Sequence, residues 1–228
     1  DYYGIEITIE DTGRKYLPEI RKKELEAGGA IIGIRNYFYF DQKDNRYITT
    51  ENISEILDSN VWDLDYIRSK LKDILIKEKY DFVFIMTPTE GTHAHHSSSA
   101  IIALQTIQSL DDGVRPIVLA GSGSSLSDTV KNIYKGLKGF PITNVSDTIP
   151  FQFDRTQKFG FREVLDYKII VNWLIAEHKS QGTMQLGMNR GDIENYWYLD
   201  INPESGKIKT QELFDKLKIN YYPKKEYD

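Results

Sequence analysis

The run DFVFIM at residues 81–86 is a short, almost unbroken apolar stretch followed by the turn-forming TPTEG. A strand that is apolar on both faces suits a sheet covered on both sides, which is the habit of buried parallel strands. Before it, Leu64, Ile67, Leu71, Ile74 and Leu75 fall on one face of a helix over 63–79. After it, SSSAIIALQTIQSL reads as a second helix and RPIVLAG (115–121) as a second strand. Helix, strand, helix, strand is the order of a doubly wound α/β fold. The expectation is therefore α/β: a three-layer sandwich with a mainly parallel, Rossmann-like sheet and DFVFIM at its centre.

The flanking segments extend this reading. LPEIRKKELEAGGAII (17–32) carries Leu17, Ile20, Leu25, Ala30 and Ile31 at helical spacing, with Pro18 in the first turn and Gly33 as the stop. YFYF (37–40) is a short strand before the turn-rich DQKDN. GSGSSLSD (121–128) fits neither a P-loop nor a dinucleotide fingerprint, and reads as a loop whose serine caps a helix over TVKNIYKGL. FREVLDYKIIVNWLIAEHKSQG reads as one long amphipathic helix ending at Gly182. His178, near that end, is a helix-terminus residue rather than a ligand. No repeat, low-complexity tract or long linker interrupts residues 1–228, so a single domain is expected.

The chain has 4 histidines, and three of them, His93, His95 and His96, lie in GTHAHHSSSA. A polar loop opening a helix accounts for such a cluster, and so does a metal or catalytic site, since imidazole binds metals and titrates near neutrality. The α/β order decides for the site: the cluster falls between the carboxyl end of a strand and a helix start, where open α/β sheets bind ligands. With 0 Cys, a metal here would be held by His and carboxylates, as in catalytic rather than structural zinc sites.

Composition removes other classes. A formal charge of −5 and a pI near 5.5 argue against nucleic acid as a partner. No apolar run reaches the roughly 20 residues of a membrane span. The opening DYYGIEITIEDTG lacks the basic start and apolar core of a secretory signal, which slightly favours a cytoplasmic protein.

Taken together, four stretches resemble the PIG-L (LmbE-like) N-acetylglucosaminyl deacetylase family. IRKKELEAGGAIIGI resembles its R-x-x-E-L helix, and FYFDQKDNRY its strand and aspartate-bearing loop. KYDFVFIMTPTEGTHAHH resembles the strand leading to its H-x-x-H motif, and AEHKSQG its late H-x-S-Q segment. The resemblance implies hydrolysis of the acetamide of an N-acetylated sugar, with Zn²⁺ or another divalent metal as cofactor. It implies His96 as a metal ligand and His93 as the residue that stabilises the oxyanion or donates a proton. It also implies Arg21 and Asp44 as substrate-binding residues, Asp41 competing with Asp44. His95 stands where many relatives have aspartate, which changes how His93 is oriented and tuned.

The family's early H-P-D-D-E motif, source of further ligands and the general base, has no counterpart in the sequence, and DYYGIEIT resembles the stretch downstream of that motif. The expectation is a single PIG-L domain that starts inside the domain, binding metal weakly and deacetylating poorly as it stands. The alternative is a non-catalytic carbohydrate-binding module of the same fold, with WDLDY or NYWYLD as a stacking surface. Aromatics at such spacings are more often core or rim than platform. A serine hydrolase using Ser98 is disfavoured by the lack of G-x-S-x-G.

Overall fold

The computed structural model describes residues 2–44, 51–58, 61–128 and 133–218. Along the chain the elements are α1 (Glu10–Ile31), α2 (Ser54–Leu57), α3 (Leu64–Glu78), β1 (Phe82–Met86), α4 (Ala94–Gln108) and β2 (Ile117–Ser124). There follow β3 (Phe151–Asp154), β4 (Lys158–Phe159), β5 (Leu165–Asp166), α5 (Tyr167–Glu177), α6 (Gly182–Gln185), β6 (Ile193–Tyr198) and α7 (Gly206–Lys218). They divide into two compact units, one of Asp1–Tyr39 with Arg155–Asp192 and one of Phe40–Asp154 with Ile193–Asp228.

The first unit pairs α1 with α5. Helix α1 starts earlier than its apolar pattern suggests, with Glu10 and Asp11 in a first turn that suits the helix dipole, so Pro18 lies inside it. The stop at Gly33 holds, with φ +77°. The buried face is not the apolar one. Ile20, Glu24, Gly28 and Gly29 are buried, whereas Leu25, Ile31 and Ile32 are exposed. Helix α5 approaches closely: a Cβ on Gly28 would sit 3.1 Å from His178 Cε1 and 3.4 Å from the Leu174 carbonyl oxygen.

Glu24, fully buried, accepts hydrogen bonds from the Tyr2 hydroxyl (2.7 Å) and from the Ser180 amide (2.6 Å) and hydroxyl (2.7 Å). Burial and this carboxylate push the Tyr2 phenol upward. Tyr37 and Tyr39, expected in a strand, instead bond back onto α1 at the Glu26 carbonyl and carboxylate. The long helix expected over FREVLDYKIIVNWLIAEHKSQG is also shorter. Arg162 and Glu163 have positive φ, and the helix begins only at Tyr167, where Asp166 caps it by accepting from the Ile169 amide. It ends at His178, as a helix-terminus residue, with Nδ1 3.0 Å from the Leu174 carbonyl oxygen.

The second unit contains the main sheet, ordered β1-β2-β6-β3. In it β1 and β2 are parallel, while β6 runs antiparallel to both β2 and β3. The architecture is α/β with a mixed, mostly antiparallel sheet, and this corrects the mainly parallel, Rossmann-like expectation. DFVFIM is an end strand in that order, with Phe84 and Met86 about half exposed, which corrects its central placement. The apolar run misled on both counts: the face carrying Phe84 and Met86 is left partly open, and hydropathy says nothing of which neighbours flank a strand. The interior strands are β2 and β6, and on β6 Trp197 and Tyr198 are buried on opposite faces.

Around them, Leu75, Leu104, Ile107, Val118, Ala120, Trp197 and Leu199 form the larger core under α3 and α4. Ile117, Leu119, Tyr198 and Phe214 form a smaller one under α7. Helix α3 matches its expected span, with Asp63 capping the Tyr66 amide and Lys79 left-handed at the end. The helix expected over TVKNIYKGL is absent at 133–136, and its residues 129–132 lie outside the described ones.

Candidate active site

The segment 87–93 carries the chain from β1 into α4. Thr87 extends the parallel ladder by donating its amide to the Gly121 carbonyl (3.1 Å). A four-residue turn comes next, closed by the Thr92 amide on the Thr89 carbonyl (3.1 Å), with the two threonine hydroxyls 2.6 Å apart. Gly91 takes the third place of that turn with φ +82°, a conformation that costs glycine little. His93 is then the N-cap of α4. Its Nδ1 accepts from the His95 amide (3.2 Å), and its carbonyl accepts from the His96 amide (3.0 Å).

This cap fixes the tautomer. A nitrogen that accepts carries no proton, so the His93 ring proton is on Nε2, pointing away from the helix. The three rings are gathered: His93 and His95 lie edge-to-face at 4.7 Å, and His93 and His96 at 6.0 Å between centroids. Crowding favours the neutral forms of His95 and His96. Desolvation, then His93, lowers the pKa of His96; desolvation and His93 lower that of His95, against the opposing pull of Asp44.

Asp44 reaches the cluster, its Oδ1 3.5 Å from His95 Nδ1. The loop that carries it is pinned to the start of α3. The Trp62 indole donates to the Lys43 carbonyl (2.9 Å), and the Asp63 amide donates to the Gln42 side chain (2.8 Å). The Trp62 ring also lies over His95, at 5.3 Å and 32°. His95 is therefore held between a carboxylate and an indole. Asp41, the competing choice, has a left-handed backbone with φ +51° and an exposed side chain. Residues 45–47 of FYFDQKDNRY lie outside the described residues.

Of the residues singled out from sequence, His93, His96 and Asp44 share the second unit; Arg21 is on α1 in the first, its Nε buried without a hydrogen-bond partner. Trp62 is legible in the sequence only as an aromatic within WDLDY, and nothing there pairs it with His95. Ser98 is fully buried, which removes it as a nucleophile open to substrate. NYWYLD fails as a stacking surface, because Trp197 and Leu199 are fully buried and Tyr198 nearly so.

No group of three His, Asp or Glu placed to hold a metal occurs among the described residues. Catalytic zinc usually takes three protein ligands, so these residues do not fit a complete zinc site. No helix of the described residues is long and apolar enough to cross a membrane.

The family model of PIG-L, described as GlcNAc-PI de-N-acetylase, matches residues 6–107. That span includes α1, α3, β1, the histidine cluster and most of α4. No curated protein and no solved structure matches the chain.

Proposed function

With residues 6–107 matching PIG-L, a family of deacetylase-type hydrolases, we propose that this chain hydrolyses the acetamide of an N-acetylglucosamine-type conjugate, metal-dependently, at the carboxyl end of β1. The observation that carries the reading is His93, seated as the N-cap of α4 with its Nε2–H directed outward. Amide hydrolysis concentrates negative charge on the carbonyl oxygen in the transition state, and a preorganised donor there is worth several kcal/mol, roughly 2.7–4 in oxyanion-hole deletions.

The hydrogen bond at Nδ1 favours one of the two roles that the resemblance offers His93. A neutral ring with its only proton on Nε2 can stabilise an oxyanion by hydrogen bonding. Giving that proton up would leave an imidazolate unless Nδ1 were protonated, and Nδ1 is occupied by the His95 amide. His93 is therefore the oxyanion donor. His95, clamped by Asp44 and Trp62, keeps the turn that positions it.

His96 is the residue we assign to the divalent metal, with zinc the usual one in this family; bound zinc would polarise the carbonyl and acidify a water. Since the described residues do not complete a zinc site, the chemistry derived from this chain is that of His93. Asp44 and Arg21 are assigned to the sugar hydroxyls and the sugar end of the substrate, and the whole chain is read as one such domain.

The test is amine release from an N-acetylglucosamine conjugate by the full chain, with and without added zinc, alongside measured zinc content. Zinc-dependent release, lost with zinc uptake in His96→Ala, supports the reading. Binding of the conjugate with no amine released under either condition sinks it in favour of the carbohydrate-binding module.

A further inference from the structure

One crosswise row of the main sheet changes character abruptly. On the face toward α3 and α4, the strands carry apolar residues first: Val83 and Ile85 on β1, Val118 and Ala120 on β2, and Trp197 on β6 with Leu199 just past its end. One step toward the carboxyl ends of β1 and β2 the row becomes uncharged and polar. Ser122 is paired with Asn195, and Asn195 with Gln152, while Thr87 continues β1 beside them. That is the sheet end from which the segment 87–93 leads to His93.

The row is built. Asn195 is buried, and its amide group is committed on both sides: Nδ2 donates to Ser124 Oγ (2.8 Å), and Oδ1 accepts from Gln152 Nε2 (2.8 Å). These two bonds fix where Gln152 and Ser124 point. Gln152 is exposed and keeps Oε1 as an open acceptor; Ser124, accepting at Oγ, keeps its hydroxyl proton to donate. At the His93 end stands Thr87, 5% exposed, whose Oγ1 is buried without any hydrogen-bond partner. A buried hydroxyl left unpaired costs about 1–3 kcal/mol, which a native site tolerates when something else supplies the partner.

We infer that this row is a polyol-binding shelf, on which Gln152, Ser124 and Thr87 hydrogen-bond the hydroxyls of a sugar whose acetamide faces His93. The ligand class rests on the chemistry. Gln152, Asn195, Ser122, Ser124 and Thr87 supply neutral hydroxyls and amides, able to donate and accept. Asp154, aligned with Ser124 through Ile193 on the same face, adds a carboxylate, which accepts from a sugar hydroxyl. Asn195 is a positioning residue, acting through Gln152 and Ser124. The shelf rests on the deacetylase reading for its orientation, but its ligand chemistry stands apart from it.

The test uses the full chain and the methyl glycoside of N-acetylglucosamine, with Gln152→Ala and Thr87→Val. Gln152 is exposed and Thr87→Val preserves shape, so both variants should melt with the parent. With turnover present, each should raise KM about ten-fold, the loss of a hydrogen bond or two, while kcat stays within about two-fold. Turnover with KM unchanged in both variants overturns the shelf and leaves the deacetylase reading intact. If the parent has no turnover, that reading fails, and the shelf is judged by amide NMR titration with the same glycoside. Shifts at the Gln152 and Asn195 side chains, lost in Gln152→Ala, support it; a flat titration in the parent overturns it.

Discussion

Replacing Glu24 tests whether the buried carboxylate organises the first unit. Its two oxygens receive three donors, from Tyr2 and from the amide and hydroxyl of Ser180, and no solvent reaches it. In Glu24→Ala all three bonds vanish and the Ser180 amide loses its partner. Bonds to a charged acceptor contribute about 1.5–3 kcal/mol each, but they share one desolvation cost, so a net loss of roughly 3 kcal/mol is expected.

Glu24→Gln keeps the shape and one oxygen that can accept from Tyr2 and the Ser180 amide. The Ser180 hydroxyl can rotate to accept from the new amide group, so the loss should stay near 1 kcal/mol. Ser180→Ala removes a single donor and should cost about as much. For a chain of this size 1 kcal/mol lowers Tm by about 2–4 °C, giving roughly 6–12 °C for Glu24→Ala. Thermal melts by circular dichroism read the order directly. A Glu24→Ala variant that melts with the parent, or a Glu24→Gln variant as damaged as Glu24→Ala, would refute the reasoning.

Asp166 is held below the usual carboxylate range, chiefly by its hydrogen bond from Lys158 (2.6 Å) and also by the Ile169 amide it caps. Its stabilisation is complete above an unfolded value of about 3.9 and is lost as pH falls through the lower folded one. Asp166→Ala should cost about 1 kcal/mol at pH 7, and the gap in Tm from the parent should narrow below about pH 4. Gly136 has φ +111°, and a Cβ there would lie 3.0 Å from the Cα of Asn144 and 3.2 Å from its amide nitrogen. Gly136→Ala combines strain with a backbone clash and should cost about 2 kcal/mol or more, read by urea unfolding.

The sequence carried the local signals well. Asp63 and Lys79 bound α3, Gly33 ends α1, and the histidine cluster falls between the carboxyl end of a strand and a helix start, as the helix and strand order required. Direction and adjacency it did not carry. A strand buried on both faces reads alike whether its neighbours are parallel or antiparallel, so IENYWY gave no sign that it would enter the sheet reversed beside RPIVLAG. Helix α1 misled in another way. Its burial follows Ile20, Glu24 and Gly28 because α5 packs closely on Gly28, while Ser180, beyond the end of α5, binds Glu24; apolar spacing cannot register either. The partners of the site, Trp62 over His95 and Thr87 without a partner, depend on contacts between distant segments.

The central claim is that His93 stabilises the oxyanion of a deacetylation. It is tested most directly by following the acetate methyl signal by NMR as the chain, with zinc present, acts on an N-acetylglucosamine conjugate. The parent should release acetate, and His93→Ala should lower kcat by about 10²–10³ with KM little changed. Acetate release at the parent's rate by His93→Ala, or none from the parent, would contradict the account.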